Sequence, residues 1–223
     1  MPTYKTQLAI KQVPVHIVGL GDSLTKGVGD LDNQGYVGDV ASRLKKMDAI
    51  SKVKIDDFGV RGDTSEDLLK VLDRDDVKKQ IKTADYIFLT IGGNDLVNVL
   101  KKNFLNLKLD DFKKRKASFE SNLNDIILKI RKQNPNATIY YFGLYNPFEN
   151  YVDGLDDKFS SIINQWNQTS ESILAIYRHT VFIPTADIFH GQTDHLLYND
   201  HFHPNEKGYK LLAQRLFSYI QKQ

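Results

Sequence analysis

At 223 residues the chain is long enough to bury a full α/β core, and 41% hydrophobic with 26% charged residues is a globular composition, not a disordered, fibrous or membrane-embedded one. A balance of 30 Lys and Arg against 28 Asp and Glu leaves a net charge of +2, which gives no electrostatic case for nucleic acid or an anionic membrane as the main partner. The absence of cysteine excludes disulfides, thiolate metal sites and a cysteine nucleophile, and leaves the redox compartment open.

One domain over residues 1–223 is expected, with no signal-peptide core at its start and no apolar stretch long enough to span a bilayer. The first apolar, β-branched run, Val15–Gly21, predicts a buried strand leading into Gly19-Leu20-Gly21-Asp22-Ser23-Leu24. A serine at a strand end exposes its hydroxyl. Glycines beside it let the backbone approach a ligand, and N–H groups there meet a developing negative charge. The same residues read equally well as a tight turn with a capping serine. A dinucleotide site is a third reading, since Gly19-x-Gly21 follows a strand and Asp56 and Asp57 end the next one. Leu24 stands against it, occupying the place of the required third glycine. The α/β-hydrolase elbow fails as well, because Thr25 replaces its second glycine.

A helix over Tyr36–Met47 and a strand over Val53–Gly59 follow, then the glycine-rich loop Phe58-Gly59-Val60-Arg61-Gly62-Asp63-Thr64. The Gly62 N–H, at the mouth of the sheet, is a candidate oxyanion donor, while Asp63 or Thr64 caps the predicted helix Ser65–Gln80. The third strand, Asp85–Gly92, runs into Gly92-Gly93-Asn94-Asp95. An asparagine amide at a strand terminus can donate to a tetrahedral oxyanion. Taken alone, a turn with Asn94 left-handed and Asp95 as helix cap is the simpler account.

The helix Asp110–Gln133 carries the dense basic run Lys113-Lys114-Arg115-Lys116, read as a solvated face, and Asn134-Pro135-Asn136 ends it before the strand Thr138–Tyr145. In the helix Phe159–Tyr177, Trp166 falls in register with Ile162, Ile163 and Ile173, which reads as core packing. After the fifth strand, Thr180–Thr185, comes Asp200-His201-Phe202-His203-Pro204-Asn205, directly before a last helix, Glu206–Gln221. A carboxylate three residues before a histidine can fold back onto its Nδ1–H, which fixes the tautomer and leaves Nε2 to take a proton from a serine. Two other readings attach here. His195, Asp200, His201 and His203 could ligate a metal, although no helical His-x-x-x-His spacing or cysteine supports it. His201 could replace His203, although as its neighbour in an extended turn it should point away.

The β-α alternation, with four near-continuous apolar strands, predicts a five-stranded parallel sheet covered on both faces, a three-layer α/β/α sandwich. Ligands in such sheets bind beyond the carboxyl ends of the strands. Substrate choice should then fall to the loops Asn146–Leu155, with Pro147, Phe148 and Tyr151, and Gly191–Asn199, with Leu196, Leu197 and Tyr198. Their apolar residues read either as an acyl pocket or as ordinary loop anchors.

In order along the chain, Gly21-Asp22-Ser23-Leu24, the glycine block ending at Gly62, Gly92-x-Asn94-Asp95 and Asp200-x-x-His203-Pro204 resemble the four consensus blocks of the SGNH hydrolase superfamily, the GDSL-like lipases and acylhydrolases. The resemblance implies a flavodoxin-like fold, a triad of Ser23, Asp200 and His203, and an oxyanion hole from Ser23, Gly62 and Asn94. It implies no metal or organic cofactor and a small-molecule ester substrate, an acyl lipid or acylated sugar. The longer string Gly21 to Asp30, GDSLTKGVGD, resembles a subgroup from Gram-positive bacteria whose members often carry an N-terminal membrane anchor. No such anchor is read in this sequence. By the resemblance the protein is extracellular or at the cell surface, with membrane contact only through an anchor, and otherwise cytoplasmic; oligomeric state is left open. One departure is Asp57, where many members have asparagine, and an ionised acid accepts but cannot donate. The alternative of another class is a noncatalytic glycan- or lipid-binding surface protein on the same scaffold. Such a module has no need of a serine, a histidine and an oriented acid together.

Overall fold

A computed structural model describes residues 11–32, 34–102, 109–149 and 156–222. In chain order these form β1 (Val13–Gly21), α1 (Gly35–Leu44), β2 (Ile50–Gly59), α2 (Ser65–Val71), α3 (Asp75–Ile81), β3 (Tyr86–Thr90), α4 (Gly93–Lys102) and α5 (Leu109–Gln133). Then follow β4 (Thr138–Phe142), α6 (Asp156–Leu174), β5 (Thr180–Ile183), α7 (Ala186–Phe189), α8 (Thr193–Leu196) and α9 (Glu206–Ile220). The strands pair in parallel in the order β2-β1-β3-β4-β5, giving the expected five-stranded sheet of a flavodoxin-like α/β/α sandwich.

The alternation of side chains along each strand divides the core into two layers. On β3 and β4, Ile87, Leu89, Ile139 and Tyr141 join one cluster with α2 to α6, while Phe88, Tyr140 and Phe142 join the other with α1 and α7 to α9. The covering helices present stripes at helical spacing, as Phe112, Phe119, Leu123, Ile126, Ile127 and Ile130 do on α5. Trp166 lies in the first layer, 1% exposed and stacked on Phe119 with ring centroids 4.8 Å apart. Among the described residues, no helix is long and apolar enough to cross a membrane.

Three local expectations are corrected. The predicted helix Ser65–Gln80 is two helices, because Asp73-Arg74-Asp75-Asp76 places the last two carboxylates in a new first turn, where the helix dipole favours them. A helix, α4, starts at Gly93 where a turn was read, so Asn94 and Asp95 belong to its first turn and neither has a left-handed backbone. The basic run is not uniformly solvated, for Arg115 turns inward and its Nη2 lies 2.7 Å from Asp95 Oδ1.

Since β1 is followed by β2 on one side and by β3 on the other, the sheet order reverses between β1 and β3, and a crevice opens there at the carboxyl ends. The turn after β1 holds Ser23, and the first turn of α4, just after β3, holds Asn94.

Candidate active site

The end of β1 is shaped by close backbone approach. Gly21 has φ +127°, and a Cβ on it would lie 1.8 Å from the carbonyl oxygen of Thr90, so only glycine fits between the two strands. The Asp22 N–H donates to Thr90 O (3.0 Å), the Val28 N–H to Ser23 O (3.0 Å) and the Lys26 N–H to Asp22 O (3.1 Å), closing a compact turn around Ser23. Thr25, noticed in the sequence only for breaking another motif, ties the turn down. Its hydroxyl donates to Leu20 O (3.0 Å) and lies 2.9 Å from the Tyr36 hydroxyl and 2.8 Å from that of Thr90. The acids of the dinucleotide reading are turned to local partners. Asp56 is engaged by His16 Nε2 and Lys54 Nζ, both at 2.7 Å, and Asp57 Oδ1 accepts the Gly59 N–H at 2.7 Å.

The C-terminal loop brings its partners to this turn. Asp200 Oδ1 accepts the N–H groups of Phe202 (3.1 Å) and His203 (3.0 Å), while Oδ2 lies 2.6 Å from His203 Nδ1. His203 Nε2 lies 2.8 Å from Ser23 Oγ. Ser23 is 2% and His203 7% exposed, so the contact is screened from bulk water, whereas the Asp200 side chain is 35% exposed. Burial pushes the Asp200 carboxyl upward, but the His203 ring and the two N–H donors outweigh it and hold the group below its ordinary value. His201 takes a left-handed backbone, φ 52°, and is exposed. It is His203 that meets Ser23. The loop is anchored by Tyr145, whose hydroxyl donates to Phe202 O (2.7 Å), and by the Tyr198 N–H to His203 O (2.7 Å). Among the described residues, no three His, Cys, Asp or Glu side chains cluster as metal ligands, so His195, Asp200, His201 and His203 do not form the donor set considered from the sequence.

Gly62 has φ +90°, a conformation that favours glycine, and a Cβ there would meet nothing within 4 Å. Its loop is tied to the site by the Val60 N–H donating to Gly21 O (2.9 Å) and by Asn94 Nδ2 donating to Asp63 O (2.9 Å). The second contact orients the Asn94 amide and uses one of its two hydrogens. Among the described residues, no protein acceptor takes the N–H of Ser23 or of Gly62. Thr64 caps α2 in a reciprocal box with Asp67.

A cleft partly open to solvent lies against Ser23 and Asn94. Its apolar wall comes from Ile91, Leu96, Phe142, Leu144 and Tyr145, at and beyond the ends of β3 and β4, with Pro147 and Phe202 at one side. The loops singled out in the sequence contribute little. Leu196 and Leu197 are buried in the core layer of α9, as loop anchors, Phe148 packs on Phe159 and Phe202, and Tyr151 lies outside the described residues.

Asp22 lines the same cleft, and burial pushes its carboxyl up to about 7. A folded-state value above the ordinary one means that the folded protein keeps a proton the unfolded chain releases from about pH 4 upward. Stability therefore falls as pH rises through this window, and the loss is complete above about pH 7. Asp22→Asn retains an Oδ1 acceptor for the Thr90 hydroxyl (2.8 Å) and the Leu24 N–H (3.0 Å). Its advantage over the parent in thermal unfolding should be near zero at pH 4 and grow toward pH 8, approaching about 4 kcal/mol. An offset independent of pH would show that Asp22 does not titrate there.

Comparison with known proteins places these features. The family model described as GDSL-like Lipase/Acylhydrolase family matches residues 20–211. The uncharacterized protein YpmR of Bacillus subtilis (strain 168) is 38% identical over 209 residues, covering 93% of this chain and 82% of that protein. The spore germination lipase LipC of Bacillus licheniformis is 29% identical over 202 residues, covering 88% and 92%. Among solved structures, the lipase Lip_vut3 from a goat rumen metagenome superposes with a TM-score of 0.82 at 25% identity, covering 92% of this chain and 96% of that one.

Proposed function

The chain belongs to the GDSL-like lipase/acylhydrolase family and is a hydrolase, and we propose that it cleaves small carboxylic esters through an acyl-enzyme on Ser23. What supports this reading most directly is the unbroken chain of contacts from Ser23 Oγ to His203 Nε2, 2.8 Å, and from His203 Nδ1 to Asp200 Oδ2, 2.6 Å. Asp200 accepts the Nδ1–H and leaves Nε2 with its lone pair toward the serine. His203 takes the Ser23 proton as Oγ bonds to the ester carbonyl carbon. The resulting oxyanion is held by the N–H groups of Ser23 and Gly62, which meet no acceptor among the described residues, and by the second hydrogen of the Asn94 amide. Collapse breaks the ester C–O bond, and His203 returns the proton to the departing alcohol. Water then loses a proton to the same histidine and attacks the acyl carbon, releasing the acid and regenerating Ser23.

The test combines hydrolysis of p-nitrophenyl acetate, butyrate and decanoate with labelling by a p-nitrophenyl alkylphosphonate. Ester turnover, with one phosphonyl adduct on the peptide containing Ser23 and loss of activity in step with labelling, is the expected outcome. Turnover without an adduct on Ser23 would move the nucleophile elsewhere. No turnover of any ester would favour a noncatalytic lipid- or glycan-binding protein.

A further inference from the structure

We propose that Gly93 fixes the acyl length this site accepts, its missing side chain leaving open a passage between Asp22 and Leu144 through which a chain longer than acetyl extends. The inference rests on the ester-hydrolase reading and adds to it a substrate class, esters of straight-chain acids of medium length.

Gly93 is the first residue of α4, adjacent to Asn94, and lines the cleft. Its neighbours at the site show what usually demands glycine. Gly92 has φ +111° and no room, since a Cβ would lie 2.8 Å from the Phe119 ring, and Gly62 has φ +90°. Gly93 is subject to neither constraint. Its φ lies outside the left-handed region, and a Cβ there would meet nothing nearer than Asp22 Oδ2 and Leu144 Cδ2, each at 4.0 Å. At the start of a helix another residue would also be favoured over glycine by about 1 kcal/mol or less in backbone entropy. What glycine provides here is space. A single methyl would touch both walls at van der Waals distance and close the gap that a polymethylene chain needs.

Those walls hold their positions. The Leu144 backbone is held on both sides by Asn167, the Leu144 N–H donating to Oδ1 (2.7 Å) and Nδ2 donating to Leu144 O (2.8 Å). Asp22 is held through Oδ1 by Thr90 and Leu24, which leaves Oδ2 toward the gap. Burial raises the Asp22 carboxyl to about 7, so near neutrality much of it carries no charge and tolerates methylenes beside it. The same cleft is lined by the apolar side chains of Ile91, Leu96, Phe142 and Tyr145. An acetyl group would leave this apolar surface unfilled.

The experiment measures kcat/KM for p-nitrophenyl esters from acetate to decanoate with the parent, Gly93→Ala, Gly93→Val and, on the opposite wall, Leu144→Ala. The Gly93 variants should lower the decanoate-to-acetate ratio by about tenfold or more, valine beyond alanine, since excluding even one or two methylenes carries discrimination of that order. Leu144→Ala should raise the ratio. Ratios that stay at the parental value in folded Gly93 variants, or a loss equal at every chain length, would overturn the inference while leaving the esterase reading intact. If the Gly93 variants fail to fold, Leu144→Ala decides, an unchanged ratio counting against the proposal. A parent that cleaves no ester overturns the underlying reading, and this inference with it.

Discussion

Ser23→Ala is expected to lower ester kcat by about 10⁵-fold or more while leaving the melting temperature within a few degrees of the parent. The loss is large because nothing nearby can take over. The hydroxyls of Thr25 in the turn and of Thr90 at the end of β3 are engaged with each other, with Tyr36 and with Asp22. The fold should tolerate the change, since removing one Oγ frees only the His203 Nε2 contact. The other members of the site should rank below it. Asn94→Ala removes one of the three proposed oxyanion donors and should cost about 10²- to 10³-fold in kcat with little change in KM. Asp200→Asn should fall between the two, because its amide oxygen can still accept the loop N–H groups of Phe202 and His203 while its NH2 toward Nδ1 disfavours the tautomer that frees Nε2. Hydrolysis of p-nitrophenyl butyrate by each purified variant checks the series. A Ser23→Ala protein retaining more than about 1% of parental turnover would place the nucleophile elsewhere.

Asp95→Ala should be the most damaging substitution for stability, by about 3 kcal/mol or more, lowering the melting temperature of a chain of this size by roughly 6–12 °C. Asp95 is 0% exposed and accepts the Ser65 N–H (2.8 Å), the Ser65 hydroxyl (2.6 Å) and Arg115 Nη2 (2.7 Å). Asn122 in turn donates to Ser65 Oγ (2.9 Å), so one carboxylate joins α2, α4 and α5. Burial raises its pKa, opposed by Ser65 and Arg115, and removing it strands a buried N–H, a hydroxyl and a guanidinium only 26% exposed. Arg115→Ala should cost less, since the acid can then protonate. The damage should also reach the chemistry, because the same brace sets the starts of the helices that carry Asn94 and follow Gly62. Thermal denaturation of both variants tests this, and an Asp95→Ala melting temperature within 2 °C of the parent would show that the network is dispensable.

The sequence was most readable where geometry is local. Asp200 and His203 are three residues apart, and an acid folding back on a histidine's Nδ1 needs only a tight turn. Alternating apolar strands are readable for a similar reason, since a run buried on both faces has one economical home in a covered parallel sheet. The approach of Ser23 to His203 had no local signal and came only from the resemblance of the ordered motifs. Composition points to the long loops for the cleft, which lies instead at strand ends, where which side chains face the crevice depends on pairing register. Leu196 and Leu197 have the composition of a pocket and the position of a core anchor. Arg115 reads as one more surface charge until the fold sets Asp95 beneath it. The break between α2 and α3 was visible in Asp73-Arg74-Asp75-Asp76, but helical spacing on both sides concealed it.

The serine and histidine that meet across 2.8 Å are separated by 180 positions of chain. During synthesis the turn that holds Ser23 can form early, against β3, but the histidine that meets it is made much later and is held in place only once α9 docks beside α1. A chain cut short before position 203 thus carries the serine without its proposed base. On the proposed mechanism such fragments should hydrolyse no ester, so that turnover reports on molecules in which both segments have closed on each other.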